Sequence, residues 1–169
     1  MRLIASLLFS VALIQEMAPA RAQPAPAVEP VFTTSGAFFA ASVADLDASI
    51  LWYRDKLGMR VIMRPPPRDG VTMALLSGGG LEVELIHDPA ARPLREVAPA
   101  IRHATHVHGI FKAGIRVDDW DRLVATLRAR GVPIAVGPFP ARADQRANLM
   151  IRDNEGNYIQ FFGDFATRP

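Results

Sequence analysis

A lysine in the middle of an alternating strand pattern is the residue of this chain that most plainly asks for a chemical explanation. The stretch HGIFKAGIRVDD, His108 to Asp119, alternates as a strand burying one face, with Lys112 on the other; Lys56 is the only other lysine. A lysine there could form a Schiff base or act as a base if burial lowered its pKa, or it could bind an anionic group as an ammonium. A carboxylate facing it would raise the pKa instead, which favours binding over catalysis. LEVELIH places Glu82 and Glu84 on one face, a spacing open to acid–base work by a carboxylate pair, with Glu84 the candidate catalytic group and Glu82 readable as a solvated edge residue. His103, His106 and His108, with His87 nearby in sequence, form a rival metal set. No carboxylate lies beside them, and surface positions in a linker are the commoner fate of such histidines. The Ser77–Gly80 turn precedes no helix, so it lacks the aligned amides of a phosphate cradle.

The elements that position these residues come from a chain of 169 residues, half of them apolar, with a formal charge of +2 and interspersed acids and arginines. No basic tract points to nucleic acid, so a small molecule is the expected partner. The sequence has no cysteine, which excludes disulfides, thiolate metal sites and a cysteine nucleophile. Arg2, the apolar run Leu3 to Ile14 and Ala20-Arg21-Ala22 have the order of a cleaved signal peptide over residues 1–22. The run is shorter than the roughly 20 residues that cross a bilayer. A periplasmic or secreted protein with no membrane segment after cleavage is therefore expected, with residues 23–35 as a Pro/Ala-rich spacer.

Beyond the spacer, AFFAASV reads as a strand. Asp45 then caps a helix with Leu46, Ile50, Tyr53 and Leu57 on one stripe, and Gly58 ends it. RVIMR, VTMALLS and LEVELIH follow as strands between Pro and Gly punctuation. IFKAGIRV repeats the opening, Asp119 caps a second helix, Gly131 ends it, and PIAVG, ANLMIR and NYIQFFG complete the set. A shift of 74 positions superposes Val43, Asp45 and Asp47 on Val117, Asp119 and Asp121. The expected fold is α+β: tandem βαβββ modules over residues 36–88 and 108–163, joined by a linker over 89–107 that Pro89, Pro93 and Pro99 keep from forming a long helix. The modules would form a curved mixed-sheet cleft with helices on the outside. By the alternation, Phe111, Ala113, Ile115 and Val117 pack inward, while Ile110, Lys112, Gly114 and Arg116 face the cleft, with Phe38, Glu84, Ile86, Tyr158, Gln160 and Phe162.

FFAASVADLDASILWYRDKLGMRV resembles the opening module of the vicinal oxygen chelate superfamily, the glyoxalase, bleomycin-resistance and extradiol dioxygenase group. RDNEGNYIQFFG is similar to that family's final hairpin. The resemblance runs from about Ala37 to Gly163. Metal-using members carry a His on the first strand of each module and a Glu or Gln on the last; carried over by local motif, these positions are Phe38, Glu84, Lys112 and Gln160. Phe38 has no donor atom, and an ammonium has no lone pair to offer a metal. The resemblance therefore implies a metal-free cleft with no cofactor, in which Lys112 supplies the missing charge, Glu84 is its partner across the cleft, and Arg116 and Tyr158 complete a small-molecule site. An exported glyoxalase/bleomycin-resistance-like binding protein is the expected function. The alternative is a metal-dependent enzyme, a lactoylglutathione lyase-like isomerase or lyase or a dioxygenase, with a divalent ion on Glu84, Gln160 and histidines from elsewhere. A homodimer is left open.

Overall fold

The computed structural model describes residues 34–166; the expected signal peptide, and the spacer apart from Thr34 and Ser35, lie outside them. The first module runs β1 (Phe38–Ser42), α1 (Leu46–Trp52), β2 (Arg60–Met63), β3 (Thr72–Gly78) and β4 (Leu81–His87). Asp45 caps α1, its carboxylate accepting the Ala48 amide at 2.9 Å. The helix continues as a π-helical turn, Tyr53–Leu57, and stops at Gly58, whose φ of 76° is the left-handed conformation that glycine adopts without steric cost.

Between the modules the chain forms one turn of helix, α2 (Leu94–Val97), and a 3₁₀ turn at Ala104–His106. The second module repeats the order with β5 (Lys112–Arg116), α3 (Trp120–Ala129), β6 (Ile134–Phe139), β7 (Asn148–Arg152) and β8 (Tyr158–Phe162). Asp119 caps α3 through the Arg122 amide at 3.0 Å. The sheets have the strand orders β1-β4-β3-β2 and β5-β8-β7-β6, and in each the first strand runs parallel to the last strand of its own module. The expected α+β class and duplicated βαβββ order are what the chain adopts. One inward residue differs: β5 begins at Lys112, so Phe111 lies outside the ladder and is exposed rather than packed under α3, and Ile110 before it is fully exposed.

Ala74, Leu76, Val83 and Leu85 of the first sheet and Leu149, Ile151, Ile159 and Phe161 of the second belong to one continuous core with Leu46, Tyr53 and Leu127. At about 25 cal/mol per Å² of apolar surface buried, this shared core supplies the main force holding the modules together. Side chains alternate across a sheet, so the residues between these project from the far face of each sheet, away from the common core. The open face carrying Glu84 and the open face carrying Lys112 thus look away from one another.

Polar links span the same junction. Tyr53 is fully buried, and its hydroxyl donates to Asp153 Oδ2 at 2.9 Å. Asp153 Oδ1 accepts the amides of Glu155 and Asn157 at 3.0 and 2.8 Å, and Oδ2 also accepts Asn157 Nδ2 at 3.0 Å. One carboxylate therefore shapes the β7–β8 hairpin and ties it to the end of α1. Asn154 adds a bond to the buried Ser49 hydroxyl at 2.8 Å. Burial, reinforced by the Asp153 carboxylate, pushes the Tyr53 phenol far above its ordinary value.

Candidate functional site

The open face of the second sheet gathers the polar candidates. Register places Lys112 beside Tyr158 and Arg152, Gly114 beside Gln160 and Met150, and Arg116 beside Phe162 and Asn148. Lys112 Nζ donates to Gln160 Oε1 at 2.5 Å, and Gln160 Nε2 donates onward to Asn148 Oδ1 at 3.4 Å. Gln160 is 8% exposed, so the amide is a fixed floor, while Lys112 is exposed at its rim. The ammonium has three N–H groups and the glutamine takes one, which leaves donors free for a ligand. Aromatic surface frames it: Lys112 Nζ stands 5.3 Å from the Phe111 ring centroid, and the Arg152 guanidinium lies 4.2 Å from the Tyr158 ring centroid while bonding the Tyr158 hydroxyl. Gly114 leaves a shallow space, since a Cβ there would meet nothing nearer than the Phe162 ring at 3.9 Å.

The open face of the first sheet is chemically opposite. Phe38 is 63% exposed at its edge; Ala40, Leu75 and Met73 make an apolar surface, and Glu82 and Glu84 project from β4. Among the described residues neither glutamate has a hydrogen-bonded partner or an ion pair.

Of the candidates, Lys112, Arg116, Tyr158 and Gln160 come together, while Phe38 and Glu84 lie on the other sheet. The expected Lys112–Glu84 pair is not formed within the chain: the two faces turn away from a shared core, and the lysine's partner is Gln160. Asn148, Met150 and Arg152 belong to the same face beyond the expected residues; their signal in the sequence is the alternation of ANLMIR against buried Leu149 and Ile151. His87 Nδ1 pairs with the Val43 carbonyl at 3.2 Å, and the His103 and His106 rings pack edge-on with centroids 5.0 Å apart. No set of three His, Asp or Glu side chains among the described residues could hold a metal ion.

The metal that such a fold implies is also poorly served at the matching positions. Phe38 offers only carbon, Lys112 is a donor without a lone pair, Gln160 Oε1 already accepts from Lys112, and Glu84, the one strong ligand of the four, stands alone on the other sheet. The donor set does not fit a divalent ion.

The Glyoxalase/Bleomycin resistance protein/Dioxygenase superfamily profile matches residues 37–161, and the chain belongs to this superfamily. No curated protein matches the sequence. Solved structures share the fold at low identity. A glyoxylase/bleomycin resistance protein/dioxygenase domain from Frankia sp. EAN1pec is 18% identical with a TM-score of 0.61, the match covering 82% of this chain and 96% of that one. TnmS3, an antibiotic binding protein from Streptomyces sp. CB03234, is 19% identical with a TM-score of 0.55, covering 80% and 98%. A glyoxalase I mutant from Zea mays is 19% identical with a TM-score of 0.55, covering 76% of this chain and 44% of that longer one.

Proposed function

We propose that this chain is an exported protein that binds a small organic molecule without a metal, on the open face around Lys112. The observation that carries the reading is the Lys112–Gln160–Asn148 chain of hydrogen bonds, in which an ammonium takes the place of a metal ligand and keeps free donors toward solvent. A ligand with an anionic or carbonyl group and an aromatic portion suits it: the ammonium, with Arg116 along the same strand, meets the polar group, and Phe111, Tyr158 and Phe162 offer apolar contact. The similarity in fold to an antibiotic binding protein supports a role in sequestration or carriage.

Half a cleft does not enclose a ligand, and the complementary half is on the other sheet of the same chain, facing away. A second copy supplies it. The acidic, apolar face of Glu82, Glu84 and Phe38 matches the basic, aromatic face of Lys112, Arg116 and Arg152. A two-fold pairing of one face with the other yields two equivalent clefts per dimer.

The test is a thermal-shift screen of aromatic organic anions, followed by calorimetry of each hit on Lys112→Ala and Gln160→Ala. A ligand at 100 times its Kd should stabilise the protein by about 2.7 kcal/mol. Lys112→Ala should weaken it about 10-fold or more and leave unliganded stability within about 0.5 kcal/mol. Affinity unchanged in both variants, or stoichiometric transition metal in protein purified without chelators, would overturn the reading.

A further inference from the structure

The chain's other lysine lies on the helix side of the molecule, at the head of a cavity that the open faces do not touch. A pocket of about 230 Å³ lies between the modules, walled by Leu57, Met59 and Leu81 of the first and Ile115, Leu123 and Phe161 of the second, with Lys56 and Arg130 at its border. These two cations clasp each other's backbone: Lys56 Nζ donates to the Arg130 carbonyl at 2.6 Å, and Arg130 Nη1 donates to the Lys56 carbonyl at 3.2 Å. The guanidinium lies so close to Gly58 that a Cβ there would meet Nη1 at 3.2 Å, so the glycine that ends the first helix also makes room for the arginine.

Two positive groups bordering one pocket make that border attractive to an anion. Neither is within ion-pair distance of a carboxylate among the described residues; the nearby Asp55, whose pKa Lys56 helps to lower, is paired with Arg54 at 2.7 Å. Each keeps donors free, two on the ammonium and most of the guanidinium fork. The remaining lining is almost entirely apolar. At its other end the pocket passes Leu123 and Thr126 into an open groove bordered by Asp118, Asp119 and Arg122, so the more positive end is the one that carries Lys56 and Arg130.

We propose that this inter-module pocket is a second binding site, for an amphipathic organic anion whose carboxylate or sulfonate sits at Lys56 and Arg130 while its apolar body fills the cavity. A cavity of about 150 Å³ holds a benzene ring, so this larger one takes a bicyclic aromatic acid or a medium-chain acid of about ten carbons. Such a ligand touches both modules at once and fixes their junction.

The probe is 2-naphthoate, with 2-naphthalenemethanol as its neutral counterpart, titrated into the ¹⁵N-labelled full-length protein and followed by amide shifts. The wild type should bind the acid at least about 10-fold more tightly than the alcohol, with the largest shifts at Gly79, Leu123 and Thr126. Lys56→Gln with Arg130→Gln should bring the two affinities together, Leu123→Trp should abolish both, and Lys112→Ala should change neither. The proposal is overturned by any of three results: no binding of 2-naphthoate to the wild type at millimolar concentration, acid binding that persists in both the double variant and the folded Leu123→Trp protein, or loss of binding in Lys112→Ala, which would place the probe on the open face.

Discussion

Replacing Tyr53 with phenylalanine removes one oxygen from the centre of the module junction and nothing else. The lost bond runs from a fully buried hydroxyl to the Asp153 carboxylate at 2.9 Å. A hydrogen bond to a charged group contributes about 1.5–3 kcal/mol. Oδ2 retains Asn157 Nδ2 and Oδ1 retains both backbone amides, so the carboxylate is not stranded and the loss should fall near 2 kcal/mol at pH 7. For a domain of this size that corresponds to a fall in Tm of about 7 °C. The pH dependence separates this bond from generic packing. Burial raises the folded-state pKa of Tyr53 above its unfolded value near 10, so the stabilisation is fully present below pH 10 and is lost as pH rises beyond it. The loss amounts to about 1.4 kcal/mol per pH unit for one proton, so the wild type's advantage over Tyr53→Phe should vanish near pH 11.5. Guanidinium unfolding of both proteins at a series of pH values reads this directly. A deficit below about 0.5 kcal/mol at pH 7, or two alkaline limbs that run parallel, would refute the reasoning.

Other substitutions probe the frame and the face. Asp45→Ala and Asp119→Ala each remove an N-cap bond and should cost about 1 kcal/mol by chemical denaturation. Gln160→Leu leaves Lys112 without its acceptor in a site of similar shape; it should weaken any anionic ligand found on the open face while changing stability by about 1 kcal/mol or less. Asn154→Ala severs the bond to buried Ser49 and should destabilise the fold by about 1 kcal/mol, additive within error with changes on the far face of the second sheet.

How much of this could be read from the chain follows the range of the interactions involved. Asp45 and Asp119 announce their helices because a cap bonds an amide three residues away, and Gly58 and Gly131 end them through a local backbone conformation. Strand faces follow from alternation, which placed Lys112, Arg116, Tyr158 and Gln160 together. Alternation says which way a residue points relative to its own helix, not how two modules dock. Hence Lys112 and Glu84 do not pair within one chain: the packed faces of both sheets meet in one core, and the open faces part. Tyr53 and Asp153 lie 100 residues apart and each reads locally as something ordinary, a helix-stripe residue and a turn residue. Phe111 lies outside the ladder because the ladder begins at Lys112, two residues after the alternating pattern starts at Ile110. Lys56 and Arg130 become a site only where the end of one helix meets the end of the other.

The claim that one copy's acidic face closes over another's basic face is tested most directly by charge reversal read in the analytical ultracentrifuge. Glu84→Lys alone sets lysine against Lys112 at both interfaces of a two-fold dimer, and Lys112→Glu alone sets glutamate against Glu84; each should be largely monomeric at micromolar concentration. Mixing the two variants restores opposite charges at both interfaces, so the mixture should sediment as a heterodimer with wild-type stability. Dimers that persist in each single variant, or a wild type that is monomeric at any concentration, would contradict the account.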